Sequence, residues 1–270
     1  MIFLLSMVIF ISEIAYSQSF VPATNINFKV SPTIDYIGNN VFRYSYKVES
    51  KNISVQDIWL FAVKYKTSIS LNSPPQGWSG TNILQGEKFA YWAADGGTPQ
   101  TVQGKEHFIK PGTSLNGFSF TSSALPISTQ FRVQGNAPLP DLSDTDGFTK
   151  QQLLQYEEQL KFFNNSISGN TIGPGSQNPG TFSNEALINY LISQKHLAIS
   201  EGWITNQGII NSLDKKLDNA LKALRQGKNN TAKNIINAFI NELNAQNSKH
   251  ISVEAYALLK SVADYLISRL

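Results

Sequence analysis

From about residue 24 to 135, apolar and polar side chains alternate in short runs broken by Gly, Pro, Asn and Ser, the pattern of half-buried strands. In VFRYSYKV, Phe42, Tyr44, Tyr46 and Val48 share one face while Arg43, Ser45 and Lys47 share the other, which predicts a strand with one buried side. In DIWLFAVKY both faces are apolar, Ile58, Leu60 and Ala62 on one and Trp59, Phe61, Val63 and Tyr65 on the other, as in a central strand covered on each side. NFKVS, FAYWAAD at 89–95, EHFI at 106–109, LNGFSFT at 115–121 and TQFRV at 129–133 continue the pattern. About seven short strands predict an antiparallel β-sandwich of immunoglobulin-like size over residues 20–135, with a barrel as the alternative. Lys110-Pro111-Gly112 carries the Pro and Gly of a type II turn and predicts a tight connection between paired strands.

From residue 184 onward the apolar period lengthens to that of a helix. Leu187, Ile188, Leu191 and Ile192 lead towards Leu197 and Trp203, and Leu213, Leu217, Leu221 and Leu224 then precede Gly227 as a stop signal. A further helix starts near Asn229 or Asn230 and carries Ala232, Ile235, Ile236, Phe239, Ile240 and Leu243. The last starts at Ser252 as N-cap, with Ala255, Leu258, Leu259, Val262, Ala263, Leu266 and Ile267 in one stripe. Stripes joined by short connections predict a compact three- to four-helix bundle over 184–270. Residues 136–183 read as a linker. Within it TKQQLLQYEEQLKFF places Leu153, Leu154, Tyr156, Leu160 and Phe163 at helical intervals, a short amphipathic helix to dock on the sandwich. The Asn-, Ser-, Gly- and Pro-rich stretch at 164–183 reads as a flexible or extended tether.

Residues 1–17, MIFLLSMVIFISEIAYS, form an apolar run too short to span a bilayer, with Ala15 and Ser17 at the small-residue positions of a signal-peptidase site. This predicts export, with Gln18 as the new N-terminus or a cut after Ser19, and no membrane span in the mature chain; an uncleaved membrane tether is the alternative.

Composition narrows the chemistry. A formal charge of +3 with no basic stripe argues against nucleic acid as partner. Zero Cys removes disulfides, thiolate nucleophiles and thiolate-held zinc, and His107, His196 and His250 stand apart without metal-ligand spacing. No Gly-x-Ser-x-Gly elbow occurs, Glu157 and Glu158 are neighbours that diverge on a helix, and Asp95-Gly96-Gly97 lacks the ending of a phosphate loop. No cofactor is implied. DLSDTDG places Asp141, Asp144 and Asp146 ahead of Gly147, part of an oxygen-rich cation loop, yet Leu142 and Leu153 occupy two positions where an EF-hand needs carboxylates; a polar turn and helix N-cap is the simpler reading. Trp78, after Pro74-Pro75-Gln76-Gly77, and the pair Tyr91 and Trp92 are the candidate ligand contacts, because such rings stack on sugars or anchor protein partners. A sandwich without disulfides also needs large side chains inside, which favours core packing for these indoles and for Trp59.

The run from Ser212 to Leu266, and above all Asn237-Ala238-Phe239-Ile240-Asn241 followed by a polar turn and a last helix, resembles the FIMAH domain. Ser248 stands before Lys249 where family members usually have Gly, a departure that bears on the geometry of that turn. The resemblance implies a helical accessory module of exported bacterial proteins with no assigned catalytic activity. The HFIKPGTSLNGFSFTSSALP segment loosely resembles immunoglobulin-like sandwich modules of such proteins and implies no activity. The expected function is that of an exported, non-catalytic binding, adhesion or accessory protein whose partner is a glycan or a cell-surface protein. The alternatives are a hydrolase of polysaccharide or peptidoglycan working through Asp or Glu, and a purely structural surface or matrix component.

Overall fold

Among the described residues there are nine strands in two antiparallel sheets. The protein is described from a computed structural model, which covers residues 22–84, 86–94, 105–137 and 149–270. One sheet has the order β1-β2-β7-β4, with β1 at Phe28–Tyr36, β2 at Phe42–Ser50, β4 at Ser70–Leu71 and β7 at Ser114–Ser122. The other runs β5-β6-β3-β8-β9, with β3 at Ile58–Lys64, β5 at Trp78–Thr81, β6 at Phe89–Ala94, β8 at Pro126–Gly135 and β9 at Ile167–Pro174. The two sheets pack face to face over an aromatic core. Phe42, Tyr44, Tyr46 and Val48 all point inward from β2, as their spacing predicts. The buried phenols are satisfied across the core: Tyr44 donates to the Ala124 carbonyl at 2.7 Å and Tyr46 to the Ile172 carbonyl at 2.7 Å.

Three details depart from the sequence pattern. Pairing of β3 with β8 shifts register between Ile58 and Leu60, so Ile58 joins Phe61 and Val63 in the main core while Leu60 and Ala62 face the opposite side; an irregularity of this kind reverses side-chain parity. EHFI is no strand: Lys105–His107 is a 3-10 turn and Ile109 makes only a bridge to Ile58. The Pro-Gly turn forms, with Thr113 N–H donating to the Lys110 carbonyl at 3.0 Å and Gly112 at φ +79, but it leads from that bridge into β7 of the other sheet and does not join a paired hairpin.

The segment read as a tether is part of the sheet. β9 pairs with β8 along its whole length, from Pro126 opposite Pro174 to Val133 opposite Ile167. The glycines there allow close packing: a Cβ on Gly169 would lie 2.5 Å from Phe131 Cζ, and one on Gly173 would lie 2.6 Å from Thr129 Cγ2. Just before it, α1 (Lys150–Gln159) starts from a capping box in which Thr149 and Gln152 satisfy each other's backbone N–H groups. The turn after the helix covers the outer face of β3 and β6 through Phe162 and Phe163, and Tyr156 of α1 is buried, whereas Leu153, Leu154 and Leu160, expected at the contact, are exposed.

The C-terminal part is a four-helix bundle of α2 (Asn184–Ser200), α3 (Gln207–Arg225), α4 (Asn229–Gln246) and α5 (Val253–Arg269), in which each helix packs on the next and α5 returns to α2. Gly227 is left-handed at φ +71 and ends α3, and Ser252 caps α5 by accepting from Ala255 N–H. Lys195 of α2 is fully enclosed, and its ammonium meets the Asp214 carboxylate of α3. Burial lowers the Lys195 pKa, against which the Asp218 carboxylate pulls it up.

α5 has more than the one apolar stripe expected of it. Ala257, Ser261 and Tyr265 form a second buried line at four-residue spacing, and α5 packs along β1 as well as on α2 and α4. Tyr265 meets Tyr36 edge-on at 5.0 Å and Phe42 at 5.8 Å, and its hydroxyl donates to Asn40 Oδ1 at 2.8 Å. Tyr190 of α2 donates to the Pro126 carbonyl at 2.8 Å, and Asn170 of β9 donates to Glu201 Oε2 at 2.7 Å. Sandwich and bundle thus share one continuous hydrophobic core.

Candidate functional site

Of the residues singled out from the sequence, Trp78 and Trp92 lie in the sandwich core. Trp92 is wholly enclosed, stacked on Phe61 with ring centroids 5.6 Å apart, and Trp78 is only 3% exposed, edge-on to Phe118 at 4.9 Å with its Nε1 donating to the His107 carbonyl at 2.9 Å. The disulfide-free core is filled by these indoles, and neither offers a free face for stacking. Gly77, at φ +73, lets the His107 ring lie against its backbone; a Cβ there would sit 2.0 Å from His107 Cγ. Tyr91 is half-buried on the opposite side of β6, packed with the cluster under α1, and burial raises its phenol pKa. Trp59 is partly buried between the same cluster and the main core. Asp141, Asp144 and Asp146 lie outside the described residues, as does the 1–17 segment.

A cleft forms instead where the bundle meets the sandwich. It has a volume of about 370 Å³ and is walled by Lys29 of β1, by the α2–α3 loop at Gly202, Trp203 and Thr205, and by residues 248–254 at the α4–α5 loop. Local backbone chemistry sets each wall. At the end of α2, Trp203 N–H donates to the Ala198 carbonyl and Gly202 N–H to the Ile199 carbonyl, with Gly202 at φ +72: this is the Schellman arrangement, and it fixes Trp203 just beyond the helix. The two loops are laced together, Ile204 bridging Ile251 and Ser252 N–H donating to the Trp203 carbonyl at 2.9 Å. At the end of α4 the Gln246 carbonyl accepts from the N–H groups of Lys249, His250 and Ile251, and Ser248 takes φ +60. Ser248 therefore occupies the left-handed conformation that glycine adopts freely, at a cost of about 1 kcal/mol for a residue with a Cβ.

The cleft lining carries two lysines and a histidine. Lys29, Lys249 and His250 are exposed and, among the described residues, their side chains make no hydrogen bond or ion pair with another residue. Glu49, opposite Lys29 on β2, has its carboxyl pKa lowered first by the hydrogen bond from Lys51 and further by the charges of Lys51, Lys47 and Lys29. Trp203 is half-buried in the wall. The sequence pattern reads Trp203 as a helix-stripe residue and His250 as isolated, because nothing local connects residue 29 with 203 and 249.

Residues 191–268 match the FIMAH domain. The match starts midway along α2 and ends within α5, so it includes both loops of the cleft and the α5 face that docks on β1, while Lys29 comes from outside it. The FIMAH domain is an accessory module of exported proteins. No curated protein matches the chain. Among the described residues, no helix is long and apolar enough to cross a membrane.

Proposed function

We propose that this chain is an exported, non-catalytic binding protein, in which the FIMAH module and the sandwich together hold a ligand-engaging cleft for a glycan or another cell-surface molecule. One observation carries the reading: the cleft brings Lys29 of the sandwich to the two helix-connecting loops and sets it and Lys249 around a half-buried tryptophan. Concave sites at the meeting of two folded units, with a few polar groups around an apolar surface, are where ligands bind most often. A rigid junction supports it, since Trp203 and the α4–α5 loop are held by backbone hydrogen bonds before any ligand arrives.

The test is calorimetry and tryptophan fluorescence on the chain from Gln18 onward, titrated with soluble glycans and cell-wall fragments. Saturable binding that is lost in a folded Trp203→Ala variant is the expected result. Binding untouched by that substitution contradicts the site. Breakdown of the fragments during the titration contradicts the non-catalytic reading and moves the protein to the hydrolases.

A further inference from the structure

The charge distribution around the junction cleft narrows its ligand, on the assumption that the binding reading above holds. Of the residues that line the cleft Glu254 alone is acidic, and it sits in the first turn of α5, where the positive end of the helix dipole compensates it. Lys29 faces Glu49 across the β1–β2 pair, whereas Lys249, among the described residues, makes no ion pair. Some lysines elsewhere are held by carboxylates, as Lys64 is by Glu87 at 3.1 Å, Lys216 by Glu242 at 2.7 Å and Lys260 by Asp264 at 2.6 Å. On the β2 side of Lys29, Lys47 and Lys51 surround the single carboxylate Glu49, so the rim carries an excess of positive charge. Thr205 and Ser248 add hydroxyl groups, and Trp203 adds the one aromatic surface.

We infer that the junction cleft takes an acidic saccharide, with the carboxylate of the sugar facing Lys29, Lys249 and His250 and its apolar ring face against Trp203. A volume of about 370 Å³ lies at the small end of ligand sites, suited to one or two sugar units more than to a folded partner. An acidic peptide would use the same cations but has no need of an indole beside them, so the saccharide is favoured.

The experiment is calorimetric titration of the chain with three probes: a galacturonic acid trimer, a neutral galactose trimer and poly-glutamate. The acidic trimer binds saturably, and the Lys29→Gln, Lys249→Gln double variant weakens it by about tenfold, the effect of two partly screened charge contacts. Neutral galactose binds at least tenfold more weakly, and the double variant does not change it. Thermal melting of the variant verifies that it is folded. Equal binding of both trimers, dependent on Trp203, overturns this inference and leaves the binding reading standing. Poly-glutamate binding as tightly as the acidic trimer overturns the saccharide assignment in favour of a peptide. A failure of all three probes overturns the inference, and only a failure of the wider glycan panel removes the binding reading as well.

Discussion

Helices α1 and α5 stand in different relations to the sandwich. α5 brings a second buried stripe, packs Tyr265 against the rings of Tyr36 and Phe42, and satisfies its hydroxyl on Asn40. α1 presents Tyr156 and is followed by Phe162 and Phe163, while Leu153, Leu154 and Leu160 stay in solvent at 42%, 58% and 50% exposure. Both are amphipathic by sequence. The difference teaches that the number of apolar faces, and not the strength of one, marks the helix that joins two folded units: α1 has one face to bury, and α5 has one for the bundle and one for β1.

The largest effect expected from breaking this contrast comes from Tyr265→Ala. Loss of a buried ring and its hydrogen bond costs about 3–5 kcal/mol in urea unfolding, and signals from sheet and helix shift together. A loss confined to the helical signal separates the two units and breaks the contrast. Tyr156→Ala removes the buried anchor of α1, but Phe162 and Phe163 remain in place, so a smaller cost of about 2 kcal/mol is expected by the same measurement. A cost matching that of Tyr265→Ala makes the two helices equivalent.

How much of this was legible in the sequence follows from which residues carry each contact. Period alone marked the four bundle helices, Ser252 and Gly227, because caps and apolar stripes are local. The second stripe of α5 was hidden because Ala257 is small and Ser261 is polar; Ser261 is buried at no cost since its hydroxyl donates back to the Ala257 carbonyl at 2.8 Å. β9 was hidden by glycines whose purpose is close approach to Phe131 and Thr129, and which composition reads as flexibility. Trp78 and Trp92 were candidates for ligand contact by residue type, yet a core without disulfides takes its largest rings inward. The junction cleft was beyond sequence reasoning, since it joins Lys29 to residues more than half the chain away.

Smaller effects sharpen the comparison. Ser248→Gly relieves the left-handed strain in the loop leading into α5 and is expected to stabilise the fold by about 1 kcal/mol, read as a raised Tm. A lowered Tm shows that the serine side chain supports the loop. Leu154→Ser on the exposed side of α1 is expected to change stability by less than about 0.5 kcal/mol in the same melts. A cost above 2 kcal/mol shows that this leucine is covered in solution and that α1 docks more as α5 does.

The central claim is that sandwich and bundle form one packed body with the cleft at its seam. Equilibrium urea unfolding tests it most directly, followed at once by tryptophan fluorescence, to which Trp59, Trp78 and Trp92 of the sandwich contribute, and by far-ultraviolet ellipticity, dominated by the helices. Coincident curves with a single midpoint are predicted. Two separated transitions, with the helices melting apart from the sheets, contradict the account.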